Sequence, residues 1–181
     1  SQDKQHFIYT NKSGTLFFYN LQQNTITRKI DFTSKKGQLS IVPNFEDKAE
    51  NTLLYNEQQL YFFTSKTNFQ LVFETKNKIN HVYYDTETKI IWVATNHGLI
   101  KLTPEDNSII TLKAPIKNDK MVTSIVQDNK AQLWMCNATN TLYLYAKNNW
   151  KTYTYPDESI QFSELFNTEN NLLISANKGV F

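Results

Sequence analysis

The sequence predicts an all-β chain assembled from repeated four-stranded antiparallel units, and three observations carry that reading. Strand-favouring residues are abundant: aromatics make up 14% of the 181 residues, led by 12 Phe and 10 Tyr, whereas Gly and Pro number only 4 each. Short apolar runs alternate with polar corners, most clearly where Ile91-Trp92-Val93-Ala94-Thr95 meets Asn96-His97-Gly98 and a second apolar run follows. The same pattern then recurs, with Trp92 lying 42 residues before Trp134 and Trp134 lying 39 before Leu173. Those steps fall near the period of about 40–45 residues of four-stranded propeller blades. The fold class is therefore an all-β β-propeller fragment, an open arc of about four to five partial or complete repeats. No amphipathic helix of convincing length interrupts it.

The best unit places four strands. The first covers 123–127 and ends at Asp128-Asn129, whose side chains suit a tight turn by accepting their own backbone N–H groups. The second covers 132–137, the third 141–146 and the fourth 150–155, where Pro156 stops the ladder because it has no N–H to donate. The preceding unit repeats this with strands at 79–84, 89–95, 98–102 and 108–112, and a turn at Asp85. In the final strand of the best unit, Tyr153 and Tyr155 occupy one face and Thr152 and Thr154 the other.

The early chain is less regular. A hairpin joins 15–21 to 25–32, and 34–51 reads as an elaborated loop with one short strand at 39–42. Placing Tyr61 at the Trp92 position makes 59–64 a second strand only 31 residues before Trp92, too short a step for four full strands. Phe7 stands in another second strand. The expected organisation is a single segment over 1–181, with irregular blades over 1–78, regular blades at 79–119 and 120–157, and a truncated blade at 158–181. Starting on a second strand and closing on a third would duplicate one strand and leave others missing. The chain is therefore expected to be completed by the rest of a propeller or by a second copy, since exposed strand edges are a liability.

Composition excludes some partners. A net charge of +2, with acids and bases interleaved, lacks the dense basic surface that nucleic acid requires. No apolar run approaches the roughly 20 residues of a membrane span. The single cysteine, Cys136, permits no internal disulfide.

The string Ile91-Trp92-Val93-Ala94-Thr95, followed by Gly98-Leu99 and preceded by Asp85, resembles the two-component regulator propeller repeat. Asp128, Leu133 and Trp134 match in the next unit, where Asn137 replaces the Thr and Asn140 falls where Gly is expected. In the last unit Gly179-Val180 match and Leu173 stands in for the Trp. The resemblance covers about 79–181. It implies the extracytoplasmic sensor half of a membrane histidine kinase, often one responding to carbohydrate, in a parent with further blades, a β-sandwich, a membrane helix and a kinase. On that basis the chain is expected to be a non-enzymatic, periplasmic or extracellular ligand-binding module that signals to a cytoplasmic kinase and needs no cofactor. The alternatives are a propeller enzyme of lyase or hydrolase type, with His81 or His97 at its centre, and a protein-interaction scaffold.

Candidate chemistry is sparse. Trp92 and Trp134 are expected to pack between blades rather than to stack on sugars. Cys136 shares the face of Trp134 and reads as a small buried apolar residue. The three histidines, His6, His81 and His97, have no metal-ligand spacing. Blade topology brings the turns between second and third strands, and the links between blades, to one end. This end would gather Asn96, His97, Asp119, Thr139, Asn140 and Lys178 as candidate contacts for an oligosaccharide or similar polar ligand. Lys117, Asn118, Asp157, Glu158 and Asn177 would stand beside them.

Overall fold

The computed structural model describes residues 6–32, 38–43, 45, 51–64, 69–112, 122–168 and 171–181. Every regular element among them is a strand, arranged in five antiparallel sheets, three of four strands and two of three. Each sheet is a meander in which neighbours in sequence are neighbours in space, the build of a propeller blade. No helix among the described residues is long and apolar enough to cross a membrane. The chain divides into two compact units, Ser1–Lys76 and Asn77–Phe181.

In the first unit β1 (His6–Thr10), β2 (Thr15–Asn20) and β3 (Thr25–Asp31) form one sheet. β4 (Ser40–Ile41), β5 (Thr52–Tyr55), β6 (Gln59–Phe63) and β7 (Phe69–Glu74) form the other. Its core joins Leu16, Phe18, Leu39, Leu54, Tyr61 and Phe63, with Phe32 and Phe69 set edge-on to each other at 4.4 Å. Two sequence expectations are corrected here. Residues 59–63 are the third strand of their sheet, and the second is Thr52–Tyr55, so Leu53 rather than Tyr61 holds the Trp92 position. Leu53 lies 39 residues before Trp92, which restores the regular step. The short strand expected at 39–42 narrows to Ser40–Ile41, and much of the loop expected at 34–51 lies outside the described residues.

In the second unit β8 (Ile79–Tyr84), β9 (Ile91–Thr95), β10 (Gly98–Thr103) and β11 (Ser108–Leu112) form the first sheet. β12 (Val122–Gln127), β13 (Leu133–Asn137), β14 (Thr141–Ala146) and β15 (Asn149–Thr154) form the second, and β16 (Phe162–Asn167), β17 (Leu172–Ala176) and β18 (Gly179–Val180) the third. These bounds match the expected strands within two residues; β16 here, and β5 and β7 in the first unit, are strands beyond those the sequence predicts. Burial is graded across each blade. β9 is buried at every position, whereas β15 is exposed except at Trp150.

The gap between the first two sheets is filled by Trp92 and Leu99 from one side and Ile125, Leu133, Met135 and Tyr143 from the other. The next gap repeats the arrangement one step on, with Cys136 and Val126 meeting Ile160, Phe162 and Leu165. Aspartate turns set the entry to second strands. The Asp85 carboxylate accepts the N–H groups of Glu87 and Thr88 at 3.0 and 3.2 Å, and Asp128 accepts those of Lys130 and Gln132 at 2.9 Å each. Burial pushes the Asp85 carboxyl upward, but the bonds from Thr88, Glu87 and Gln127 outweigh it, so the group sits below its ordinary range.

Candidate functional site

The candidate residues belong to the second unit, at the end that carries its β9–β10, β13–β14 and β17–β18 turns. The first turn is locked by Thr95, whose hydroxyl donates to the Gly98 carbonyl at 3.0 Å and accepts the His97 N–H at 3.1 Å. Gly98 has φ 117°, a conformation that side chains resist, so the glycine is a turn requirement. Asn96 is partly buried; its amide oxygen accepts from the Asn80 side chain at 3.1 Å, and its N–H donates to the Lys78 carbonyl. His97 is exposed.

The second turn departs from the first. Register pairs Ala94 with Leu99 but Cys136 with Leu142, so this turn holds one more residue. The extra length removes the need for a positive φ, and Asn140, unlike Gly98, does not have one. Asn137 fills the place of Thr95, fully buried, with its amide donating to the Tyr143 hydroxyl at 3.2 Å. Thr139 donates to Asn137, and the Thr139 carbonyl accepts from the Phe162 N–H. Asn140 clamps Tyr155 from both directions, donating to its carbonyl at 2.6 Å and accepting its N–H at 2.8 Å.

At the third turn Asn177 grips the same β15–β16 link. Its side chain accepts from the Gln161 N–H and donates to the Ser159 carbonyl, both at 3.0 Å. Lys178 pairs with Asp157 at 3.0 Å and donates to the Ser159 hydroxyl. Hydrogen bonds from Ser159, then from Lys178, push the Asp157 carboxyl down to about 2.

The structure thus brings Thr139, Asn140 and Lys178 together on one link, residues 155–162, with much of their hydrogen-bonding capacity spent on holding it. Asn96 and His97 stand on a separate turn. Asp119, with Lys117 and Asn118, lies outside the described residues.

Beside this link opens a feature that sequence reasoning did not assemble. An apolar cleft of about 220 Å³ is lined by Leu142, Tyr153, Tyr155, Phe162, Ile174 and Phe181. The Tyr155 and Phe181 rings approach to 5.4 Å, and Tyr153 lies 5.6 Å from Trp134. The alternation of Tyr153 and Tyr155 in the sequence was its one visible signal.

The two tryptophans pack. Trp92 is 7% exposed, with Tyr145 edge-on at 6.2 Å. Trp134 is partly buried, and its indole N–H donates to Asp128 at 2.9 Å. Burial pushes the Cys136 thiol up to about 11, which suits a packed apolar group and not a nucleophile. His81 lies on β8 with Nδ1 accepting the Ile125 N–H at 3.3 Å, and burial lowers its pKa to about 4.

No protein-family model and no curated protein matches the chain. Solved structures do. Two crystal structures of the extracellular domain of one B. thetaiotaomicron protein, described once as a one-component and once as a hybrid two-component system, align with TM-scores of 0.75 and 0.76 at 18% identity, covering 97% of this chain. The Cps50 (Swd1) β-propeller domain from Myceliophteria thermophila aligns with a TM-score of 0.75 at 12% identity, covering 98% of this chain and 61% of that one. The chain spans about a quarter of the length of the two bacterial structures (26% and 25%). Its fold is therefore that of the β-propellers, shared over nearly its whole length with all three structures.

Proposed function

We propose that this chain is part of a non-enzymatic, ligand-sensing propeller that works outside the cytoplasm in a membrane-anchored two-component regulator. One observation carries the reading: the repeat bearing the regulator-like spacing folds into blades that follow the extracellular domain of a hybrid two-component system over 97% of this chain. Supporting it, the groups best suited to chemistry are out of use. The Cys136 thiol is buried and held protonated, and the His81 imidazole is held neutral by burial with one nitrogen already bonded.

The ligand in this reading is an oligosaccharide or similar polar molecule. It lies across the turn end, where Asn96, His97 and the Thr139-Asn140 turn offer amides, an imidazole and a hydroxyl. Asp119 and Lys178 complete the proposed set. Signalling follows from a change in how the propeller docks or dimerises.

A thermal-shift screen of the protein against oligosaccharides of differing linkage tests this. A bound sugar at a hundred times its dissociation constant stabilises by about 2.7 kcal/mol, and the joint substitution Asn96→Ala, His97→Ala removes most of that shift. A panel in which no sugar raises the melting temperature contradicts the carbohydrate assignment.

A further inference from the structure

The first strands of the second unit's three blades are bent at the same place. The register slips between Ile79 and His81 in β8, between Val122 and Ser124 in β12, and between Phe162 and Glu164 in β16. A bulge leaves one residue unpaired and re-aims the side chain beside it. His81 and Ser124 hold equivalent positions after their bulges, and both reach across to the next blade. The Ile125 N–H donates to His81 Nδ1 at 3.3 Å, and the Leu165 N–H donates to Ser124 Oγ at 3.1 Å. These strands belong to separate sheets with no ladder between them, so each such bond ties one blade to the next.

We infer that His81 is an acid-released latch between the β8–β11 and β12–β15 sheets, closed when its neutral ring accepts the Ile125 N–H and opened when that nitrogen is protonated. The closed state fixes the tautomer: Nδ1 is the acceptor, so the proton sits on Nε2. An imidazolium has two donors and no acceptor, so protonation leaves the Ile125 N–H without its partner and sets it against a cation. Ser124 does not titrate, and its bond to Leu165 is indifferent to pH.

Little in the surroundings would hold the proton on the ring. Among the described residues of the second unit, β9 and β12, the strands packed most closely on β8, carry no titratable group, and β8 carries beside His81 only Tyr83 and Tyr84, which are uncharged in acid. The next carboxylate along the chain, Asp85, is engaged by Thr88 in its own turn and by Gln127 from β12. With burial alone acting, the His81 pKa falls from 6.5 to about 4. Opening the latch frees the partly buried ring more fully to solvent and lets it take up a proton, so falling pH favours the open gap.

Backbone amide exchange, corrected for intrinsic rates, tests this on the intact protein, with Leu165 as the internal control. Between pH 7 and pH 5 the protection of Ile125 falls about 20-fold relative to Leu165, and the decline levels off below pH 4. In His81→Gln, which keeps an acceptor but cannot titrate, the ratio stays flat. A flat ratio in the unaltered protein, or the same decline in His81→Gln, overturns the inference. A second readout needs no variant: the imidazole NMR shifts titrate with a midpoint near 4. A midpoint near 6.5 with an unchanged Ile125 amide also overturns it.

Discussion

Replacing Trp92 by Ala separates a packing residue from a sugar platform. The side chain is 7% exposed and sits against Leu133, Met135 and Tyr143 of the next blade, with Tyr145 edge-on at 6.2 Å. Burying an indole removes about 200 Å² from water, worth roughly 5 kcal/mol at about 25 cal/mol per Å². Relaxation around the void recovers part of this, and Trp→Ala changes in cores cost about 3–5 kcal/mol. The expected loss is therefore about 4 kcal/mol, a large share of the roughly 5–15 kcal/mol that holds a domain folded. Urea denaturation followed by far-UV circular dichroism reads it as a lowered midpoint with an unchanged slope. Trp92→Phe, which keeps a ring in the gap, recovers more than half. A Trp92→Ala protein that loses less than about 1 kcal/mol but no longer responds to ligand would refute the packing argument and make the indole a binding surface.

Further expectations concern the turns and the thiol. Gly98→Ala places a Cβ at φ 117° and 3.4 Å from the Leu112 carbonyl, so it lowers stability by about 1–3 kcal/mol in the same denaturation assay. Cys136 does not react with a thiol reagent at pH 8 while folded and reacts fully in denaturant, because burial lifts its pKa to about 11. Lys178→Met moves the Asp157 titration upward from about 2 as followed by NMR. Asp157 is depressed in the folded state, so its contribution is present above the unfolded carboxylate pKa and fades as pH falls towards 2. The Lys178 change removes part of that contribution, and the Ser159 bonds keep the rest.

Much of the blade plan is legible in the sequence. Ile79–Tyr84, Ser108–Leu112 and Thr141–Ala146 stand between strong turn residues and carry β-branched or aromatic side chains, so their bounds follow from local chemistry. Thr52–Tyr55 is different. Its Thr-Leu-Leu-Tyr has no tryptophan to anchor the register, and the aromatic run at 59–63 claimed the second-strand place instead. Phe162–Asn167 reads Phe-Ser-Glu-Leu-Phe-Asn; its apolar spacing is not strictly alternating because a bulge interrupts it, and bulges leave no mark on local propensity.

The turns that carry the candidate residues were legible in the sequence, and their bonding was not. Topology alone puts the second-to-third strand turns and the interblade links at one end. It cannot say that Asn140 and Asn177 spend their amides on the 155–162 link, since an amide that caps a turn and one that meets a ligand look alike in sequence. The tyrosine-lined cleft was hidden because it joins residues of two blades, Tyr155 and Phe181, which only packing brings together.

The most direct test of the sensing account is to map a bound oligosaccharide onto the backbone amides by NMR. The account predicts shifts concentrated at Asn96, His97, Thr139, Asn140 and Lys178, with Ile8 and Phe18 of the first unit unmoved. Saturable shifts confined to Tyr153, Tyr155 and Phe181, or to no residue of the turn end, would contradict it.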